Sequence, residues 1–285
     1  MAKKRTDKHL QVKILIRKLI VSKQALAIPV TFLILFVTMI GMISVTYFFA
    51  VDKVNTRSTT LKVATAKQDL LSFSETVLPI LWQPGAASVF EFSDTGGKLN
   101  VQPVTNHLVI DVSDNQDISA TIFNAIVGQI KYELPYSQTA DTGTYLKGDS
   151  RAITNQSGSI ITQLKIVNGA EHPEIHLGYR PTVSYTTAGL DNGKTVNNIR
   201  IYIVNLNTSQ EFGLRGKIPV KASCINTELS TLNYSIDYTI DTLVFTAAFG
   251  GQTSYVTVPI SCTQDGAVIN IETVESTFQI QRCLR

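Results

Sequence analysis

The sequence predicts an α+β protein. A long amino-terminal transmembrane helix with a helical extension precedes an antiparallel, β-sandwich-like ectodomain. Three observations predict this. The 28 residues from Gln24 to Val51 carry no charge. The segment after them is polar but has one apolar stripe at helical spacing. From Ser88 onward, short alternating segments are separated by Gly- and Asn-containing turns. The expected boundaries are 1–24 for a basic cytoplasmic leader, 25–51 for the membrane span, 52–82 for an amphipathic helix and 86–285 for the β-rich ectodomain.

The leader is defined by charge. The chain of 285 residues has 25 bases and 22 acids. Lys3, Lys4, Arg5, Lys8, Lys13, Arg17, Lys18 and Lys23 precede the apolar run, against the single acid Asp7. The remainder is net acidic. Basic residues packed against one end of an apolar run predict that this end stays in the cytoplasm and that the rest is exported. A nucleic-acid-binding arm is also basic, but the apolar run that follows directly argues for the lipid bilayer as partner and against nucleic acid.

The span follows from length. As a helix, 28 residues cover about 42 Å, against a hydrocarbon core of about 30 Å. A cleaved secretory signal has an apolar region of only about 7–15 residues. The far end, "TYFFAVDK", also places Phe48 where signal peptidase needs a small residue. The segment is therefore expected to remain in the membrane as a single pass, amino end inside and carboxyl-terminal domain extracellular.

The extension is "LKVATAKQDLLSFSETVLP", in which Val63, Ala66, Leu70, Phe73 and Val77 form one stripe. Pro79 and "QPG" at 83–85 end it. The stripe fits a helix lying on its own β-domain or, alternatively, one packing partly against other subunits. If the polar bridge "DKVNTRSTT" is also helical, Ala25 to Leu78 form one rod of about 80 Å.

Beyond Ser88, "HLVIDV", "QIKYEL", "TQLKIV", "EIHLGY", "IRIYIVN", "SIDYTI", "LVFTAAF", "TSYVTVPIS" and "VINIE" read as strands. The turns between them include "DTGGK", "DNGK", "FGGQ" and "QDGA". The segment 118–128 fits either helix or strand. The polar stretch 137–159 either divides the region into two or is one long surface loop.

The cysteines are Cys224, Cys262 and Cys283. Strand alternation turns Cys224 and Cys262 toward a core and Cys283 away from one. Cys224 and Cys262 are thus the candidate disulfide, the alternative being two buried thiols that never meet.

Candidate chemistry is sparse. "EHPEIH" puts His172, Glu174 and His176 at alternate positions, where a strand would align them for a metal, although solvent-facing strand residues have the same pattern. "DVSDNQD", 111–117, spaces oxygen side chains as a calcium loop does. It has Gln116 where glycine is expected and Ile122 where the bidentate glutamate belongs, so a strand-ending turn is the reading preferred. No P-loop, dinucleotide-binding glycine pattern or nucleophile elbow is present. The expectation is a protein without catalytic, cofactor or metal site. Sequons at Asn155, Asn207 and Asn233 are compatible with export.

The order of basic leader, apolar helix, striped extension and β-rich domain resembles the type IV pilin-like membrane proteins of archaea. The residues carrying the resemblance are "KQALAIPVTFLILF", 23–36. The resemblance implies a leader removed beside Gln24, Ala25 and Leu26, with Pro29 as an early helix kink. It further implies that the freed apolar helix leaves lipid to pack with copies of itself or with other pilin-like subunits. Such a helix must be apolar all round, since it meets lipid first and its neighbours later.

Overall fold

A computed structural model of the chain describes residues 3–114, 116–135, 142–155 and 161–283, with side chains from residue 29 onward. The chain divides into two compact units, Met1–Ser58 and Thr59–Arg285.

A single helix, α1 (Lys3–Val77), supplies the first unit and the first element of the second. It is the one helix among the described residues long and apolar enough to cross a membrane. Pro29 lies inside it, and the bridge from Asp52 to Thr60 is helical. Gln24, Ala25 and Leu26 belong to α1, but their side chains lie outside the described residues. From Val30 to Val51 the large apolar residues are exposed on every side of the helix.

In the second unit the character of α1 changes. Val63, Ala66, Leu70, Phe73 and Val77 are all buried, Leu70 and Val77 completely. These are the residues of the stripe, and burying each large one stabilises the fold by about 1.5–3 kcal/mol. The stripe is thus consumed by the protein's own β-region. A short 3-10 turn, Leu78–Ile80, carries Pro79 and ends the helix.

Among the described residues fourteen strands follow: β1 (Ala87–Phe92), β2 (Lys98–Ser113), β3 (Ser119–Glu133), β4 (Tyr145–Lys147), β5 (Thr154–Asn155), β6 (Thr162–Asn168), β7 (Pro173–Tyr179), β8 (Thr182–Asp191), β9 (Lys194–Asn205), β10 (Phe212–Arg215), β11 (Ile218–Ile236), β12 (Thr242–Phe249), β13 (Gln252–Pro259) and β14 (Ala267–Arg282). From Ser119 onward the segment 118–128 is therefore strand, and "SIDYTI" leaves its strand at Ile236. Hairpins β8–β9 and β12–β13 turn at Asn192-Gly193 and Gly250-Gly251, all four residues at positive φ, as tight two-residue turns require.

The strands form two sheets. One runs β1-β11-β14-β9-β8-β5; the other runs β13-β12-β2-β3-β7-β6-β4, with β10 on β2. Most pairings are antiparallel, but β14–β9 and β5–β8 are parallel. The expected sandwich is corrected here: each sheet curls into a half-barrel. The cause is visible in which residues are buried. In β14, Ile269 and Ile271 enter one core, whereas Phe278 and Ile280 enter another. In β3 the corresponding sets are Phe123 and Val127, then Ile130 and Tyr132. Odd and even positions point to opposite faces of a strand. Each long strand therefore buries one face along half its length and the other face along the rest.

The first core joins the α1 stripe to β1, β6, β7 and one half of β2, β3, β11 and β14. Phe73 packs against Phe90 and Phe92 at ring distances of 5.5 and 5.3 Å. The second core lies between the other halves of those strands and β8, β9, β12 and β13. The switch is built into the ladders. β2 gains residues between Gln102 and Asn106, and β11 has a bulge at Ile225. At the same level, Gly128 of β3 passes so close to Leu206 that an added Cβ would stand 2.8 Å from it.

This two-core arrangement corrects the proposed disulfide. Cys224 and Cys262 both face a core, as alternation requires, but not the same one: Cys224 belongs to the first and Cys262 packs on the second. All three cysteines are free.

Candidate functional site

Of the residues singled out by motif, His176 and Glu174 lie together on β7, with Nε2 and Oε2 2.7 Å apart. His172 precedes the strand. Among the described residues, no group of three or more His, Cys, Asp or Glu side chains is placed to hold a metal ion. The "DVSDNQD" segment is a strand-ending turn. Asp114 accepts from the backbone N–H groups of Gln116 and Ile118 at 2.8 and 2.9 Å, and from Tyr238 Oη at 2.6 Å. Though burial opposes it, these hydrogen bonds hold the Asp114 carboxyl below its usual range.

A concentration of polar side chains in a concave surface lies elsewhere. It is a cleft of about 290 Å³ on the face of β3, β7 and β6 turned away from α1. Strand register builds its floor. Lys131 of β3 pairs with His176 of β7, His176 pairs with Lys165 of β6, and Lys165 pairs with Tyr145 of β4. The result is one row, Lys131–His176–Lys165–Tyr145, across four strands. Beside it stand Gln129, Gly178 and Gln163.

The wall comes from the second core. The turn after β12 brings Phe249, Gly250 and Gln252 over the floor, and the Phe249 ring lies against Gly178. The cleft therefore occupies the step where the sheet changes its buried face.

A buried arginine fixes the remaining wall. Arg180, 2% exposed, forms an ion pair with Asp149, which Arg151 also holds. The Arg151 and Arg180 guanidiniums keep the Asp149 carboxyl well below the usual carboxylate range. Gln163 Nε2 donates to the carbonyls of Asp149 and Arg151 at 2.7 and 2.8 Å. From β13, Ser254 Oγ accepts the N–H groups of Ala152 and Ile153.

The cleft is electropositive. Its lining includes two lysines and no carboxylate. Among the described residues neither Lys131 nor Lys165 makes an ion pair, although Lys165 Nζ stands 5.5 Å from the centre of the Tyr145 ring. Burial, helped by Lys131 and Lys165, lowers the His176 pKa, and Glu174 opposes the shift. Such a site attracts anions and offers amides for hydrogen bonding.

Sequence reading marked His176 but not its row. The polar residues of "QIKYEL" and "TQLKIV" were recognisable as outward-facing. Their meeting across β7 depends on a register that no local pattern specifies. No family model, curated protein or solved structure matches the chain.

Proposed function

We propose that this chain is a non-enzymatic, membrane-anchored pilin-like surface protein, a filament subunit or minor pilin that holds its β-rich domain outside the cell. The observation that carries this reading is the change along α1. Between Val30 and Val51 the helix is apolar and exposed on all sides, a surface suited to lipid and then to like helices. From Val63 to Val77 it is committed on one face to its own β-region. The positive charges before the span orient the amino end toward the cytoplasm.

Mass spectrometry of the amino terminus of protein from the membrane or filament fraction tests the reading. A mature chain starting at Ala25 or Leu26 is expected. An intact leader in the membrane fraction would overturn it in favour of the second reading, an uncleaved single-pass envelope protein whose β-domain binds a partner or glycan. The electropositive cleft is the observation favouring that alternative.

A further inference from the structure

We propose that the cleft between the two cores binds an acidic saccharide, its anionic group seated on the Lys131–His176–Lys165 row. The inference deepens the glycan-binding reading above and stands whether or not the leader is removed.

The argument begins with charge. Neighbouring ammonium groups repel one another, and in the half-buried row that repulsion is screened less than on an open surface. The nearest carboxylate on β7, Glu174, is bonded to His176. An anion placed above His176 would meet both lysines, each able to donate charge-assisted hydrogen bonds.

The surrounding groups distinguish a sugar from a bare anion. Gln163 spends its Nε2 on the loop carbonyls, which leaves Oε1 as an acceptor. Asn106 Nδ2 donates to Gln129 Oε1 at 3.2 Å, leaving Gln129 Nε2 to donate and Asn106 Oδ1 to accept. Hydroxyl groups both donate and accept, so this mixed lining matches a polyhydroxylated ring. Gly178 and Gly250 keep side chains out of the space, and Phe249 gives it an apolar patch. The volume, about 290 Å³, is near the lower end of small-ligand sites and suits one or two sugar rings. The wall pinned by Arg180 and Ser254 keeps the cavity formed before a ligand arrives, which lowers the ordering cost of binding.

The test is calorimetric titration of the full-length protein in nanodiscs with trigalacturonate, a sulfated disaccharide, maltotriose and inorganic phosphate. At least one acidic saccharide should bind, at least about 10-fold more tightly than maltotriose or phosphate. Lys131→Gln with Lys165→Gln should weaken that binding about 10-fold or more, the loss expected for hydrogen bonds to a charged group. Lys217→Gln with Lys221→Gln, which removes the same charge elsewhere, should leave it unchanged. Gln129→Ala should weaken saccharide binding without altering phosphate binding. Thermal unfolding establishes that each variant is folded. Absence of binding by both acidic sugars, equal binding of maltotriose or phosphate, or equal losses in the two double-lysine variants would overturn the proposal. None of these outcomes depends on where the mature amino terminus lies, so the anchoring reading stands or falls separately.

Discussion

The two cores are made from the same strands but closed by different means. The first is plugged by a helix and is rich in aromatic rings: Phe73 meets Phe90 and Phe90 meets Phe92 edge to face, Phe92 stacks on Tyr132, and the Tyr132 hydroxyl is bonded to Thr95 Oγ1 at 2.6 Å. Among the described residues the second has no helix. It is dominated by isoleucine, leucine and valine between the curled sheets, with Ile110, Ile199, Ile201 and Ile269 fully buried and only Phe123, Phe245 and Phe249 as buried rings. A helix stands off from a sheet and leaves gaps that large rings fill, whereas two pleated sheets bring branched aliphatic residues into direct register. The contrast shows how one set of strands can serve both packings by reversing the face it hides.

The largest expected effect tests the plug. Phe73→Ala should cost about 3–5 kcal/mol, because the ring is fully enclosed and rigid neighbours cannot collapse into the cavity. Ile201→Ala, its counterpart in the second core, should cost about 2–5 kcal/mol. Because β2, β3 and β14 belong to both cores, each substitution should shift one common transition in thermal unfolding of the β-region followed by near-ultraviolet circular dichroism. Two separable transitions would show that the cores are independent.

Gly128→Ala tests the switch between them. Leu206 and its carbonyl must move to admit the methyl group, at a cost of about 1–3 kcal/mol, measurable as a shift in denaturant midpoint without loss of folding. If stability is unchanged, the close crossing is not a constraint.

A smaller effect distinguishes the cores by pH. Asp114, in the second core's rim, has its pKa lowered by folding. Its contribution is present above the unfolded carboxylate value of about 3.9 and is lost as pH falls through the lower folded value. Tyr238→Phe removes one donor to this carboxylate and should cost about 1 kcal/mol near neutrality. The difference from wild type should shrink below about pH 4 in denaturant titrations. A difference constant with pH would assign the tyrosine a packing role alone.

The smallest effect concerns the cysteines. With Cys224 and Cys262 in different cores, reductant should leave the melting temperature unchanged, and thiol titration of unfolded protein should count all three cysteines as free. A reductant-sensitive melt would require a pairing that brings the cores into another arrangement.

Much of this architecture was legible in local pattern. The α1 stripe named five residues and all five are buried, because spacings of three and four determine a helix face without reference to its partner. The Asn192-Gly193 and Gly250-Gly251 turns were equally local. The half-barrels were not. Alternation identifies two faces of a strand, but which face is covered at each end depends on insertions such as those after Gln102 and at Ile225. The disulfide inference failed at the same point, since shared direction toward an interior says nothing about how many interiors exist. The cleft was hidden for the related reason that Lys131, His176 and Lys165 lie on three strands and meet only through register.

The continuity of the long strands also has a mechanical consequence. Proteins built from successive domains bend at the linkers between them, but here the passage from one core to the next is made by hydrogen-bonded ladders, notably β11–β14 and β14–β9. Tension applied along these strands would load many parallel bonds in shear instead of opening a joint. The β-region is therefore constructed as a stiff spar, and a load borne at one end reaches the other without a hinge to absorb it.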